Sequence, residues 1–189
     1  MKEIDTRFSV DEKLALQGLI GERFKSYQCD EFLFRPSVYQ LVGMNIGHKT
    51  YVLENVTQPL DYYGSIEDVG GVLSFKESFA ENIESRVVGG SLLTCSIDQE
   101  IKDIEIIEDV HTMIKNGVPT YKYSYTKAIV FVLPDRQLAF EKDIWLSEDI
   151  FIYKGVHVSD SIMPIESELG ESNDCEFVAE RLVSKLSDS

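Results

Sequence analysis

The chain has 189 residues, 43% of them hydrophobic and 11% aromatic, and its 33 acidic side chains outnumber 18 basic ones to give a net charge of -15. That apolar content offsets the entropy of ordering, so a disordered polyelectrolyte is excluded, and the length supports a core without disulfide or metal staples. The acidic excess disfavours duplex nucleic acid and anionic membranes as partners, since no Lys/Arg cluster opposes it.

The N-terminus leads into a charged helix and has no apolar signal region. Ser9 to Glu12 matches a capping box, and Val10, Leu14, Leu16, Leu19 and Ile20 give an apolar face, which predicts a helix over 10–20 that Gly21 ends. Residues 24–34 are aromatic with partial alternation and read as a strand, broken at Arg35-Pro36. A hairpin follows over 41–54, turning at Gly47-His48-Lys49 and ending on Glu54. Pro59 and the Tyr62-Tyr63-Gly64 corner suggest an ordered loop over 55–64, and a strand follows over 69–75. Gly70-Gly71 inside it predicts a bulge or a close backbone approach. Residues 77–84 fit a short helix or a turn, and 87–93 are ambiguous between strand and loop.

Ile104, Ile106 and Ile107 favour a strand over 101–107 that Met113 and Ile114 continue to Asn116-Gly117, the strongest hairpin signal in the chain. Tyr121, Tyr123 and Tyr125 alternate on the returning strand and share one face. A second hairpin spans 128–141, turning at Pro134-Asp135-Arg136 and ending on Glu141, and a further strand runs over 150–153. Beyond Ser159 the sequence is acidic, with Met163-Pro164-Ile165 as its apolar foothold. A second capping-box pattern at 173–176 then predicts a terminal helix carrying Phe177, Val178, Leu182 and Leu186 on one stripe.

The two hairpins share one design. Aligned without gaps, Val42 faces Ile129, Met44 faces Phe131, Ile46 faces Leu133, Leu53 faces Phe140 and Glu54 faces Glu141, and each hairpin is followed by Glu-Asp plus a β-branched residue, at 67–69 and 148–150. The expected fold class is therefore α+β and β-rich: antiparallel hairpins forming strongly bent sheets or small barrel-like units, with helices at both ends. The expected organisation is one globular domain of two similar β-rich halves, about 21–97 and 98–158, with the helix over 10–20 and an acidic connector and helix over 159–189. A pseudo-two-fold repeat is one arrangement of the halves, and a single mixed sheet with unrelated hairpins is the other.

Candidate chemistry is sparse. Cys29, Cys95 and Cys175 are odd in number and far apart, which fits reduced thiols in a cytoplasm better than a disulfide framework or a zinc site. The longest apolar run, 128–134, is too short to span a bilayer. His48, His111 and His157 stand beside no nucleophile signature, a Cys95–His111 pair is the weakest of candidates, and no phosphate-binding loop or cofactor motif is present, so no cofactor is expected. Asp103 and Glu105 project from one strand face, as do Glu141 and Asp143, and such carboxylates could hold Mg²⁺ or Mn²⁺ for a hydrolase. Trp145, the single tryptophan, stands among Glu141, Asp143, Glu148 and Asp149, with Glu54 at the matching hairpin end; tryptophan beside charge is a recognition anchor, or else plain core.

These readings favour a non-catalytic cytoplasmic protein that binds another macromolecule, a basic protein in particular, as adaptor, regulator or inhibitor. Its sharper form is a nucleic-acid mimic. The alternatives are a hydrolase using Asp103, Glu105, Glu141 and Asp143 with a divalent metal, and a structural or oligomerising module.

Overall fold

A computed structural model describes residues 1–32, 35–60, 69–144, 147–165 and 175–188. Of the described residues 62% are strand and 11% helix, and they form two sheets with no closed barrel. The expectation of an α+β protein with helices at both ends is therefore corrected to a mostly antiparallel β protein with one α-helix among the described residues.

The strands are β1 (Lys2–Thr6), β2 (Arg23–Asp30), β3 (Ser37–Tyr39), β4 (Leu41–Ile46), β5 (Lys49–Pro59), β6 (Val69–Ser78), β7 (Leu92–Glu100), β8 (Asp103–Lys115), β9 (Val118–Val132), β10 (Gln137–Lys142), β11 (Asp149–Gly155) and β12 (Cys175–Lys185), with the helix α1 over Val10–Gln17. One sheet has the order β6-β5-β4-β2-β7; the other has β12-β8-β9-β10-β11-β3, with β1 parallel to β9. β2-β4-β5-β6 and β8-β9-β10-β11 are both antiparallel meanders, and β3 crosses from the first run to the edge of the second sheet.

The two echoed hairpins stand at the centre of these meanders. β4 and β5 pair from Leu41↔Glu54 to Ile46↔Lys49, and β9 and β10 pair from Ala128↔Glu141 to Val132↔Gln137. Val42, Met44, Ile46 and Leu53 from one sheet meet Ile129, Phe131, Leu133 and Phe140 from the other in a single core. Edge-to-face contacts join the layers, Phe24 to Phe131 at 5.0 Å and Tyr27 to Phe140 at 5.7 Å between ring centroids. The apolar positions that align in sequence thus enter the same core from the two sheets, because alternation puts every second residue of each hairpin on the same inner side.

The outer face of the β8–β9–β10 region is covered as well. Val158 and Ile162, on the single-turn helix Val158–Ser161 and just beyond it, pack on Ile107, Ala128, Val130 and Ala139. Burial on both faces explains the unbroken buried run of β9 over 123–131, where alternation in burial disappears. On the outer face of the other sheet a smaller cluster of Leu41, Val52 and Ile83 closes the surface.

Local signals explain the element ends. Ser9 and Glu12 form the capping box reciprocally, yet the helix stops at Gln17, and Val10 and Leu14 remain exposed while Leu16 is buried. Asn116 and Gly117 both have positive φ, 53° and 74°, as a tight two-residue hairpin turn requires. Residues 80–82 form one 3-10 turn, and 87–91 are loop before β7 begins at Leu92.

The expected C-terminal helix is a strand instead. Cys175–Lys185 is a strand antiparallel to β8, in register from Cys175↔Lys115 to Lys185↔Glu105. Cys175, Phe177, Ala179 and Arg181 turn toward the protein, whereas Val178 and Leu182 are exposed, so the apparent helical stripe is split between two faces. Arg181 settles the outcome: its guanidinium donates twice to the fully buried Asp109 carboxylate, at 2.7 Å each, and once to the Met163 carbonyl at 2.9 Å.

Candidate functional site

The carboxylates expected to form a recognition patch are mostly structural. Glu141, next to last in β10, has no solvent exposure, and its Oε1 lies 3.0 Å from the equally buried Lys127 ammonium and accepts a hydrogen bond from the Met163 N–H. β9 pairs with β1 as far as Tyr125 and with β10 from Ala128 onward, and Lys127 sits at that fork. A bulge there turns its side chain to the β10 terminus, where it donates to the carbonyls of Lys142 and Asp143. Burial raises the Glu141 carboxyl above its ordinary range, opposed by the charge and hydrogen bond of Lys127.

Glu148 and Asp149 tie the sheets together. Glu148 Oε1 accepts from the N–H and hydroxyl of Thr57 on β5, at 2.9 and 2.8 Å, and its Oε2 accepts from Gln40 at 2.7 Å and from the Tyr39 hydroxyl. Asn55, fully buried on β5, donates to the carbonyls of Ser147 and Asp149 at 3.0 Å each. Burial alone would raise the Glu148 carboxyl, but its hydrogen bonds from Tyr39, Thr57 and Gln40 hold it at about 2. Gly71, opposite Thr57 on β6, lies under this joint: a Cβ there would stand 2.5 Å from the Ser147 carbonyl oxygen and 2.7 Å from Asn55 Oδ1. That is a close backbone approach where the sequence suggests one.

Of the remaining patch residues, Glu54 pairs with Lys76 and, at 3.3 Å, with Arg86. Asp143 is nearly buried, 3.7 Å from Arg35, and Asp149 takes the same guanidinium at 2.7 Å. Trp145 lies outside the described residues, as do Glu67 and Asp68.

The four carboxylates weighed for metal do not meet. Asp103 accepts from Ser187, Glu105 lies 3.7 Å from Lys185, and Glu141 and Asp143 belong to the fork and the joint. Among the described residues no group of three or more His, Cys, Asp or Glu side chains is placed to hold a metal ion. Cys95 and His111 stand on different sheets, and His111 packs edge-on against Tyr125. Burial pushes the Cys29 thiol up to about 12, far from thiolate chemistry.

A concave surface lies beside the joint. Two adjoining hollows of about 240 and 280 Å³ share Asp30, Glu31 and Val87. Arg35, Ser37, Val38, Tyr39 and Asp149 line the first, and the exposed turn Val88-Gly89-Gly90-Ser91 lines the second. Among the described residues of the expected patch, Asp149 borders it. Asp30, Glu31 and Tyr39 escape a sequence reading; the acidic pair closing a strand just before Arg35-Pro36 was the available signal. Among the described residues no helix is long and apolar enough to cross a membrane. Compared with protein-family models, with curated proteins and with solved structures, the chain matches none.

Proposed function

We propose that the protein is a non-catalytic, cytoplasmic binding protein that engages a basic macromolecular partner through its acidic surface, as an adaptor, regulator or inhibitor. The observation that carries this reading is the fate of its cations. Most of the 18 basic side chains are held by the chain's own carboxylates: Arg7, Lys13, Arg23, Arg35, Lys49, Lys76, Arg86, Lys102, Lys127, Arg136, Arg181 and Lys185 all stand in ion pairs. The net charge of the chain is -15, and among the described residues Glu3, Asp11, Glu22, Glu31, Glu81 and Glu84 are exposed, which favours encounter with a positive surface.

The test is binding to a short arginine-rich peptide over a salt series. Affinity falls steeply as ionic strength rises if the acidic surface drives the encounter. Binding that is absent at low salt, or unchanged at high salt, would remove the basis of the reading. Mg²⁺ and Mn²⁺ at millimolar concentration should leave the melting temperature unchanged, whereas a rise of several degrees would favour a metal-dependent hydrolase instead.

A further inference from the structure

We infer that the cleft between the end of β2 and the 85–91 turn receives an arginine side chain of the partner, with Asp30 and Glu31 as its acceptors. The inference rests on the binding reading above and names the contact that reading lacks. Asp30 is 5% exposed, and its Oδ2 accepts only the Arg86 backbone N–H at 3.2 Å, while its Oδ1 has no hydrogen-bond partner among the described residues. A buried carboxylate oxygen without a donor carries a desolvation cost that an incoming cation removes. Glu31 stands beside it on the same cleft, with no hydrogen bond or ion pair to any described residue.

The two neighbouring cations are engaged elsewhere. Arg86 turns its guanidinium to Glu54 at 3.3 Å. Arg35 pairs with Asp149 at 2.7 Å and lies over the Phe151 ring at 4.9 Å, so the Asp30–Glu31 end stays uncompensated. Val38, Tyr39 and Val87 supply apolar walls. That combination suits a long aliphatic stem with a charged head, and two adjacent carboxylates suit a planar guanidinium fork better than a point ammonium charge.

The experiment titrates the full chain with short arginine and lysine peptides of equal length, following backbone amide shifts and affinity. Shifts should centre on Asp30, Glu31 and Val87 to Ser91, with the arginine peptide bound more tightly. Asp30→Asn, which keeps an acceptor for the Arg86 N–H, and the exposed Glu31→Gln should each weaken it by about tenfold. Glu3→Gln, an equal charge change on β1, should have little effect. If all three variants bind alike, or the two peptides bind equally, the cleft assignment is overturned while the acidic-surface reading stands. If wild type binds neither peptide at low salt, both fall. Unchanged melting temperature in Glu31→Gln separates lost binding from lost folding.

Discussion

Lys127 is a cation without solvent contact, placed where β9 exchanges one neighbour for another, and its worth lies in what it neutralises. Removing it by Lys127→Met leaves the Glu141 carboxylate buried against apolar residues, which should cost about 3–5 kcal/mol in urea unfolding. The double variant Lys127→Met, Glu141→Leu should recover most of that loss, since a buried pair exchanged for apolar groups is near neutral. A single-variant cost below about 1 kcal/mol would mean that Glu141 is protonated in the fold and that the contact is no ion pair. Neither the burial nor the pairing is legible locally. A lone lysine ahead of Ala128-Ile-Val reads as a solvated strand end, and only the fork in the sheet turns it inward.

Among the elements, β6 bears out its local signal and β12 shows tertiary contacts overriding one. Gly71→Ala puts a methyl group against the Ser147 carbonyl and the Asn55 amide, so it should destabilise by about 1–3 kcal/mol and loosen exchange protection of the Asn55 and Thr57 amides. Protection that stays native would show that the joint yields to one methyl group without strain. In the β12 segment Phe177, Val178, Leu182 and Leu186 satisfy a 3.6-residue period, which predicts a helix. The buried Asp109 on β8 needs a cation, and antiparallel pairing places Arg181 opposite it, which no terminal helix was positioned to do.

For the molecule as a whole, the main core shared by both sheets should make unfolding cooperative, and Glu148 and Glu141 couple it to pH in opposite senses. Glu148 is depressed to about 2 from 4.5, so its contribution is full above 4.5 and is lost as pH falls toward 2. Glu141 is raised, so its contribution is full below 4.5 and is lost as pH rises through its folded value. Glu148→Gln should therefore flatten the acid limb of a stability profile between pH 4.5 and 2 and leave the limb above 4.5 parallel to wild type. Coincident acid limbs would show that the joint does not hold Glu148 ionised. The chain's patterning already specified the two hairpins, their turns and the helix cap, because alternation, β-branching and turn chemistry act over a few residues. Which sheet each hairpin joined, which carboxylates became interior struts and whether the last segment was helix or strand were settled by long-range pairing. There the partner lies 72 residues from Asp109 and 91 from Glu148, while Lys127, though nearer to Glu141 in sequence, reaches it only through the fork in the sheet, and buried charge tolerates only the arrangement that supplies it.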